Sequence, residues 1–256
     1  MKIKLVANKE YKELEKLREA FSVSDDGEIC IALGGDGTLI RAARNYNGPI
    51  LPIRSGEKGS IGYYSDLSFD DIDFAIKKLR DGDYTIEKLE NKMLLNFAGK
   101  EYHAVNEVLL HNVLEEVSFR IYEIRNDRRY EIYPYIISGD GIIVTGAIGS
   151  TAYNKAARGP IIMVPNVMCM TFLNVDGPYS NPIVVDDSKI IEIEIVKYTG
   201  TLRYDGIDLG VLNAGDKFRI MTSKEELKMV RFNEKKEEFA QKLDRIIKSR
   251  MINWME

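Results

Sequence analysis

Apolar positions change their period once along the chain, near residue 84, and again after residue 232. Before the first change, short apolar runs alternate with segments whose apolar residues recur every three or four positions. Residues 3–7 predict a strand, and residues 10–20 a helix with Tyr11, Leu14, Leu17 and Phe21 on one face. The apolar run 29–33 predicts a buried strand, the segment from residue 39 the start of a helix, and residues 49–53 a third short strand. Ser68 with Asp71 forms a capping box ahead of a helix carrying Phe69, Ile72, Ala75, Ile76 and Leu79, which Asp81-Gly82 ends. Strand and helix in alternation are the pattern of a parallel sheet covered by helices.

From residue 84 the apolar residues alternate. Segments 93–97, 102–110, 118–124, 130–137, 141–145, 183–185, 190–196, 201–204 and 218–222 predict strands separated by turn-sized gaps. Strands in series without helices between them predict a sandwich or barrel-like domain. The helical period returns over 234–250, with Phe239, Leu243, Ile246, Ile247 and Met251 on one stripe. A lone helix needs an apolar surface to cover, and the N-terminal sheet offers one. The expected fold is therefore an α/β N-terminal domain with a parallel sheet (1–86 plus 233–256) and an all-β sandwich-like C-terminal domain (87–232). The C-terminal helix is expected to pack back on the first domain.

Composition narrows the function classes. At 256 residues, 45% hydrophobic and 30% charged, the chain reads as a soluble globular protein with room for two medium domains. A net charge of −4 gives no global attraction to nucleic acid or to an anionic membrane, so any phosphate binding must be local. Cys30 and Cys169 are too few for a disulfide framework, and Cys30 sits in an apolar strand, which points to a reducing interior. The apolar part of residues 1–8 is too short for a signal peptide and no run reaches membrane-spanning length. A cytoplasmic location is expected.

Four stretches carry candidate chemistry. Gly34-Gly35-Asp36-Gly37-Thr38 lies between the buried strand and the following helix. Glycines let a backbone approach a ligand closely, and a helix start favours anionic oxygens, so the turn is suited to phosphate. Asp36 would be repelled by bound phosphates unless a cation or a transferable proton accompanies it, which argues for chemistry beyond binding. The stretch is neither a Walker A loop nor a Gly-x-Gly-x-x-Gly fingerprint, and the competing reading is an ordinary tight turn. A second glycine-bearing loop with two cations follows at 54–62. Asn106-Glu107 interrupts an apolar strand. A buried amide and carboxylate need partners, and both can meet one ligand only at a bulge or strand end. The alternative is an outward polar pair on an edge strand. Asp140-Gly141, Gly149-Ser150-Thr151-Ala152-Tyr153-Asn154 and Arg158-Gly159-Pro160 cluster small residues and hydroxyls able to read a flat base edge. Tyr204-Asp205-Gly206 reads as a type I′ hairpin turn bearing a carboxylate. His103 and His111 have no zinc-like spacing and read as strand residues.

Together these stretches resemble the NAD kinase family. Gly34 to Thr38 is similar to its GGDGT motif, Asn106-Glu107 to its NE/D motif and Gly149 to Tyr153 to its GSTAY core. Asp140 and Asp205 fall where the family places ligand-facing aspartates, and Pro182-Ile183-Val184 matches a further segment. The resemblance implies transfer of a phosphoryl group from ATP, or from polyphosphate, with Mg2+ or another divalent cation, to the adenosine 2′-hydroxyl of NAD. Asp36 would orient and deprotonate that hydroxyl, while Gly34, Gly35, Gly37 and Thr38 would form the phosphate loop. Asn106, Glu107, Asp140, Ser150, Thr151, Ala152, Tyr153 and Asp205 would bind NAD. No metal ligand is assigned. The family also implies a homo-oligomer, dimer or tetramer, with no nucleic acid or membrane partner. The alternatives are a lipid or sugar kinase sharing the GGDGT turn, or a nucleotide-binding regulator without turnover. Three places depart from the family pattern: Gly146-Ala147-Ile148 stands for Thr-Pro-Thr, residues 154–160 read Asn-Lys-Ala-Ala-Arg-Gly-Pro, and Asn181 replaces an arginine. Lys155 and Arg158 are expected to face solvent.

Overall fold

Residues 29–34 form a strand buried at every position, which requires cover on both faces and neighbours on both edges. The structure, a computed structural model, describes residues 1–56, 62–175, 180–238, 241, 242, 244 and 248. Its first unit comprises 1–89 and 227–256. The elements run β1 (Lys2–Ala7), α1 (Lys12–Ala20), β2 (Ser22–Val23), β3 (Ile29–Gly34), α2 (Asp36–Arg44), β4 (Ile50–Arg54), β5 (Leu67–Ser68) and α3 (Ile72–Asp81). The strands lie in the order β2-β1-β3-β4, all parallel, and β5 pairs parallel with β4. Leu14 and Leu17 of α1 and Ile72, Ala75 and Leu79 of α3 meet Ile3, Ile31, Leu33, Leu51 and Ile53 of the strands in one core. The capping box forms as the sequence predicts, around a single 3-10 turn Phe69–Asp71, and Gly82 closes α3 in the left-handed conformation at φ 69°. By contrast, α2 starts at Asp36, ahead of the apolar positions that announce it, because Gly35 serves as its N-cap.

The second unit spans 90–226. Its elements are β6 (Thr85–Phe97, from residue 90), β7 (Lys100–Ala104), β8 (Glu107–His111), β9 (Val117–Arg125), β10 (Arg128–Glu131), β11 (Ile137–Gly139), β12 (Gly141–Thr145), α4 (Tyr153–Ala156), β13 (Val167–Leu173), β14 (Ile183–Asp186), β15 (Ile190–Lys197), β16 (Gly200–Tyr204), β17 (Ile207–Leu212) and β18 (Lys217–Arg231, to residue 226). One antiparallel sheet has the order β14-β13-β12-β8-β16-β17. The other is built on β10-β9-β15-β18, with β11 on β9 and the β6–β7 hairpin on β18. Val108, Leu110, Ile142, Val144 and Met170 from the first sheet and Phe119, Ile121, Ile191, Ile193 and Phe218 from the second share one core, the packing of a sandwich.

Several strand assignments differ from the sequence reading: β17 had no predicted segment, and β6 and β18 run well beyond segments 93–97 and 218–222. Segment 102–110 is two strands, broken at Val105-Asn106, and segment 130–137 is also two. Val167–Leu173 is a buried strand that Met-Cys-Met disguised, since these residues lack strand preference. Of the helix expected at 234–250, residues 234–238 are turn and irregular backbone and 241, 242, 244 and 248 are helical, while the remaining positions, like residues 57–61 of the second glycine-bearing loop, lie outside the described residues. No helix among the described residues is long and apolar enough to cross a membrane.

Candidate active-site residues

In the first unit the Gly-rich turn joins β3 to α2. Gly34 has φ +143°, and a Cβ there would lie 2.5 Å from Thr38 Oγ1 and 2.7 Å from Asn8 Oδ1, so only glycine closes this turn unstrained. Thr38 is buried, whereas Gly37 is exposed with open space where a side chain would be. Asp36 is the first residue of α2. The backbone N–H of Tyr63 donates to its Oδ2 at 3.0 Å and that of Tyr64 to its Oδ1 at 3.3 Å. Both oxygens are thus held in place by backbone donors. Burial, with the Asp36 carboxylate nearby, raises the pKa of the Tyr63 phenol. The loop bearing these donors is held in turn by Arg231, whose Nη1 donates to Tyr64 O at 2.9 Å and to Asp66 Oδ2 at 2.8 Å.

In the second unit the strand break places Asn106 between β7 and β8 and Glu107 at the start of β8, a strand end of the kind the sequence reading required. The break is caught by Asp205. At the tip of the β16–β17 hairpin, Asp205 and Gly206 adopt φ 45° and 77°, the type I′ geometry. The Asp205 carboxylate accepts the N–H groups of Val105 (2.9 Å), Asn106 (2.7 Å) and Glu107 (3.3 Å). Asp205 thus forms the turn and also holds the strand break. Thr145 Oγ1 donates to Asn106 O at 2.6 Å, and Gly149 approaches so closely that a Cβ would stand 1.8 Å from the same oxygen. Asn106, Glu107, Gly149 and Asp205 are thus brought together. Asn106 Oδ1 and Glu107 Oε2 are buried and have no hydrogen-bond partner among the described residues. Burial, and then the Asp205 charge, push the Glu107 carboxyl up to about 7.

The remaining sequence-predicted residues divide. Ser150 is fully buried, and its hydroxyl donates to Ala147 O at 2.6 Å and accepts Ile162 N–H at 3.0 Å, so it builds the loop. Thr151 and Ala152 are half-buried and Tyr153 is exposed. Asp140 lies at the opposite end of β12 from the Gly149 loop. With Tyr153, His111, Arg158, Thr171 and Asn174 it lines a cavity of about 740 Å³, and it accepts Asn174 Nδ2–H at 2.6 Å. Arg158 thus borders a cavity as well as solvent. His103 Nδ1 sits 2.9 Å from Ser223 Oγ. Among the described residues no group of three or more His, Cys, Asp or Glu side chains is placed to hold a metal.

Two structural roles escaped the sequence reading. Glu90, on β6, accepts the N–H groups of Ala147 and Ile148, each at 2.9 Å. Asn154, fully buried, donates to Pro160 O at 2.9 Å and accepts from Thr171 Oγ1 at 2.6 Å. A single glutamate in a half-exposed strand gives no signal, while Asn154 was visible only as a polar residue in a run of small ones.

A Gly-rich turn in front of a helix, an acid fixed at its first position, and unsatisfied acceptors on a strand break are means of positioning and charge control, the requirements of a phosphotransferase. The comparisons agree. The profile of the ATP-NAD kinase N-terminal domain matches residues 3–84, and that of the C-terminal domain residues 126–232. The NAD kinase of Clostridium kluyveri is 33% identical over 90% of this chain and 82% of that protein. The chain belongs to the NAD kinase family. Its fold is also that of an NAD kinase from Archaeoglobus fulgidus crystallised with ATP, at TM-score 0.76 and 18% identity over 97% of this chain and 99% of that one. Yeast NADH kinase, crystallised with NADH, superposes at TM-score 0.78 and 16% identity over 96% of this chain and 86% of that one.

Proposed function

We propose that the chain transfers the terminal phosphoryl group of ATP to the adenosine 2′-hydroxyl of NAD, forming NADP. The observation that carries this reading is the pair of buried acceptors, Asn106 Oδ1 and Glu107 Oε2, without partners among the described residues. Buried acceptors require donors. Adenosine offers an amino group and ribose hydroxyls, whereas phosphates offer acceptors only. The second unit's loops then bind NAD, with Asp140, Thr151, Ala152 and Tyr153 completing the nucleotide subsites and Asp205 holding the Asn106-Glu107 backbone. The first unit's Gly-rich turn receives the donor phosphates.

In the reaction the 2′-hydroxyl oxygen attacks the γ-phosphorus and its proton passes to the Asp36 carboxylate. The bond from the γ-phosphorus to the bridging oxygen breaks, and ADP leaves with the electron pair. Asp36 need not be strongly basic, because proton loss accompanies attack. Its two backbone donors make it a positioned acceptor. Mg2+ in nucleotide enzymes is held by phosphate oxygens and one or two carboxylates. Such an ion would be held chiefly by the donor's phosphate oxygens, so the Asp36 carboxylate keeps its part as proton acceptor. When bound, the ion neutralises phosphate charge. The reading includes a homo-oligomer, dimer or tetramer, on the strength of the family resemblance, and a cytoplasmic location on that of the cysteine usage and the short apolar runs.

The test is NADP formation by purified protein with NAD and Mg2+, offering ATP and polyphosphate in separate reactions. ATP is expected to support turnover, and Asp36→Asn to lose at least about a hundredfold in kcat, the scale of general-base catalysis, while retaining NAD binding by calorimetry. Tight NAD binding without NADP would identify a regulator. Neither binding nor turnover would favour a kinase acting on another alcohol.

A further inference from the structure

We infer that Glu90 is a positioning residue for the substrate loop: its carboxylate holds the turn Ile148–Thr151 in the orientation that presents Thr151, Ala152 and Tyr153. The inference rests on the NAD-binding role proposed for that loop. A 3-10 turn leaves its first N–H groups without partners inside the turn. Here the N–H groups of Ala147 and Ile148 both point to Glu90, one to each oxygen, at 2.9 Å. The carboxylate sits on a neighbouring strand, so the bonds tie the turn to the sandwich. Burial raises the Glu90 pKa, with Asp187 the other carboxylate acting on it, and the two N–H bonds oppose that rise.

The backbone around the contact is adapted to it. A Cβ on Gly146 would lie 2.8 Å from Glu90 Oε1, so a side chain there would displace the carboxylate. Ala147 has φ −61°, the angle at which proline is locked, and the glycine before it is the residue least restricted by a following proline. Proline could therefore fix the same turn by a different means, with no N–H for Glu90 to accept. The two devices are mutually exclusive. With Glu90 present, proline at 147 strands one carboxylate oxygen; with Glu90 absent, it removes an orphan donor and restores the angle.

The experiment is a four-variant cycle of wild type, Glu90→Ala, Ala147→Pro and the double variant, read by KM and kcat for NAD and by amide exchange over residues 148–153. Glu90→Ala leaves two N–H groups without their acceptor and is expected to raise KM for NAD at least about tenfold, with kcat within about twofold. Its exchange over the turn should quicken. Ala147→Pro alone should also raise KM, yet the double variant should bind NAD more tightly than Glu90→Ala and exchange more slowly. That reversal of sign is what a general packing role of Glu90 does not produce. Losses that simply add, or unchanged exchange in Glu90→Ala, would overturn the inference. If no variant, wild type included, makes NADP, the functional reading fails, while the exchange cycle still reports whether Glu90 holds the turn.

Discussion

At Glu107 a carboxylate has lost much of its water and gained Asp205 as a neighbour, and its pKa is pushed from 4.5 up to about 7. Between those values the folded protein binds a proton that the unfolded chain has released. Stability contributed by this group is therefore present at low pH and is lost as pH rises through about 7. Glu107→Gln keeps the shape and removes the titration. Its stability relative to wild type should grow between pH 5 and pH 8, by up to about 3 kcal/mol from the size of the shift. Urea unfolding at a series of pH values measures this, and parallel profiles for the two proteins would remove the buried charge from the account. The same residue gives binding the opposite preference. Only the ionised form offers both oxygens to ligand donors, so KM for NAD should fall as pH rises from 6 to 8 in wild type and stay flat in Glu107→Gln.

The segment between β12 and β13 is ordered by a side chain rather than by regular structure. Asn154, at the centre of α4, bonds Pro160 O and Thr171 Oγ1 and lies 3.4 Å from Ser150 O. Gly159 must be glycine, since a Cβ would meet Asn154 Oδ1 at 2.1 Å. Asn154→Ala leaves a buried hydroxyl and a carbonyl unsatisfied and should cost about 2–4 kcal/mol, seen as a lower unfolding midpoint in urea. A change within 0.5 kcal/mol, roughly the surface background, would mean that water replaces the amide. This element also shows where the sequence could be read. The Gly-rich turn was legible because its glycines and Asp36 are adjacent in the chain and their geometry is local. The alternating strands were legible because one face of each is buried. The break at Val105-Asn106 and the Glu90 contact were not, because each is decided by a partner far along the chain: Asp205 for the break, residues 147–148 for Glu90. The apolar run 102–110 predicts one strand until the N–H groups at its middle are given to a carboxylate. Ser150 is the converse case, a motif position whose hydroxyl the fold gives to the loop.

Over the whole molecule, the first unit is closed by the chain's return, and Arg231 is the residue through which that return reaches Asp36. Met229 at the end of β18 pairs parallel with Ile50 of β4. Two residues on, Arg231 is 4% exposed and places Nε 2.8 Å from Glu87 and Nη1 2.8 Å from Asp66 and 2.9 Å from Tyr64 O. Tyr64 and its neighbour Tyr63 donate the N–H groups that fix the Asp36 carboxylate. A residue near the end of the chain therefore sets the loop that orients an acid near its beginning. Arg231→Met should cost about 3 kcal/mol, the lower end for breaking a buried ion pair. Lys242 and Lys236 remain to pair Asp66 and Glu87 and limit the loss. Arg231→Lys keeps charge without the forked donors and should fall between. Because the loop holds Asp36, kcat should drop in both variants while KM for NAD stays within about twofold, the pattern of a lost transition-state interaction. Steady-state kinetics on protein shown to be folded by circular dichroism separates the cases. A folded Arg231→Met enzyme with unchanged kcat would show that the Tyr63-Tyr64 loop holds Asp36 without help from the returning strand.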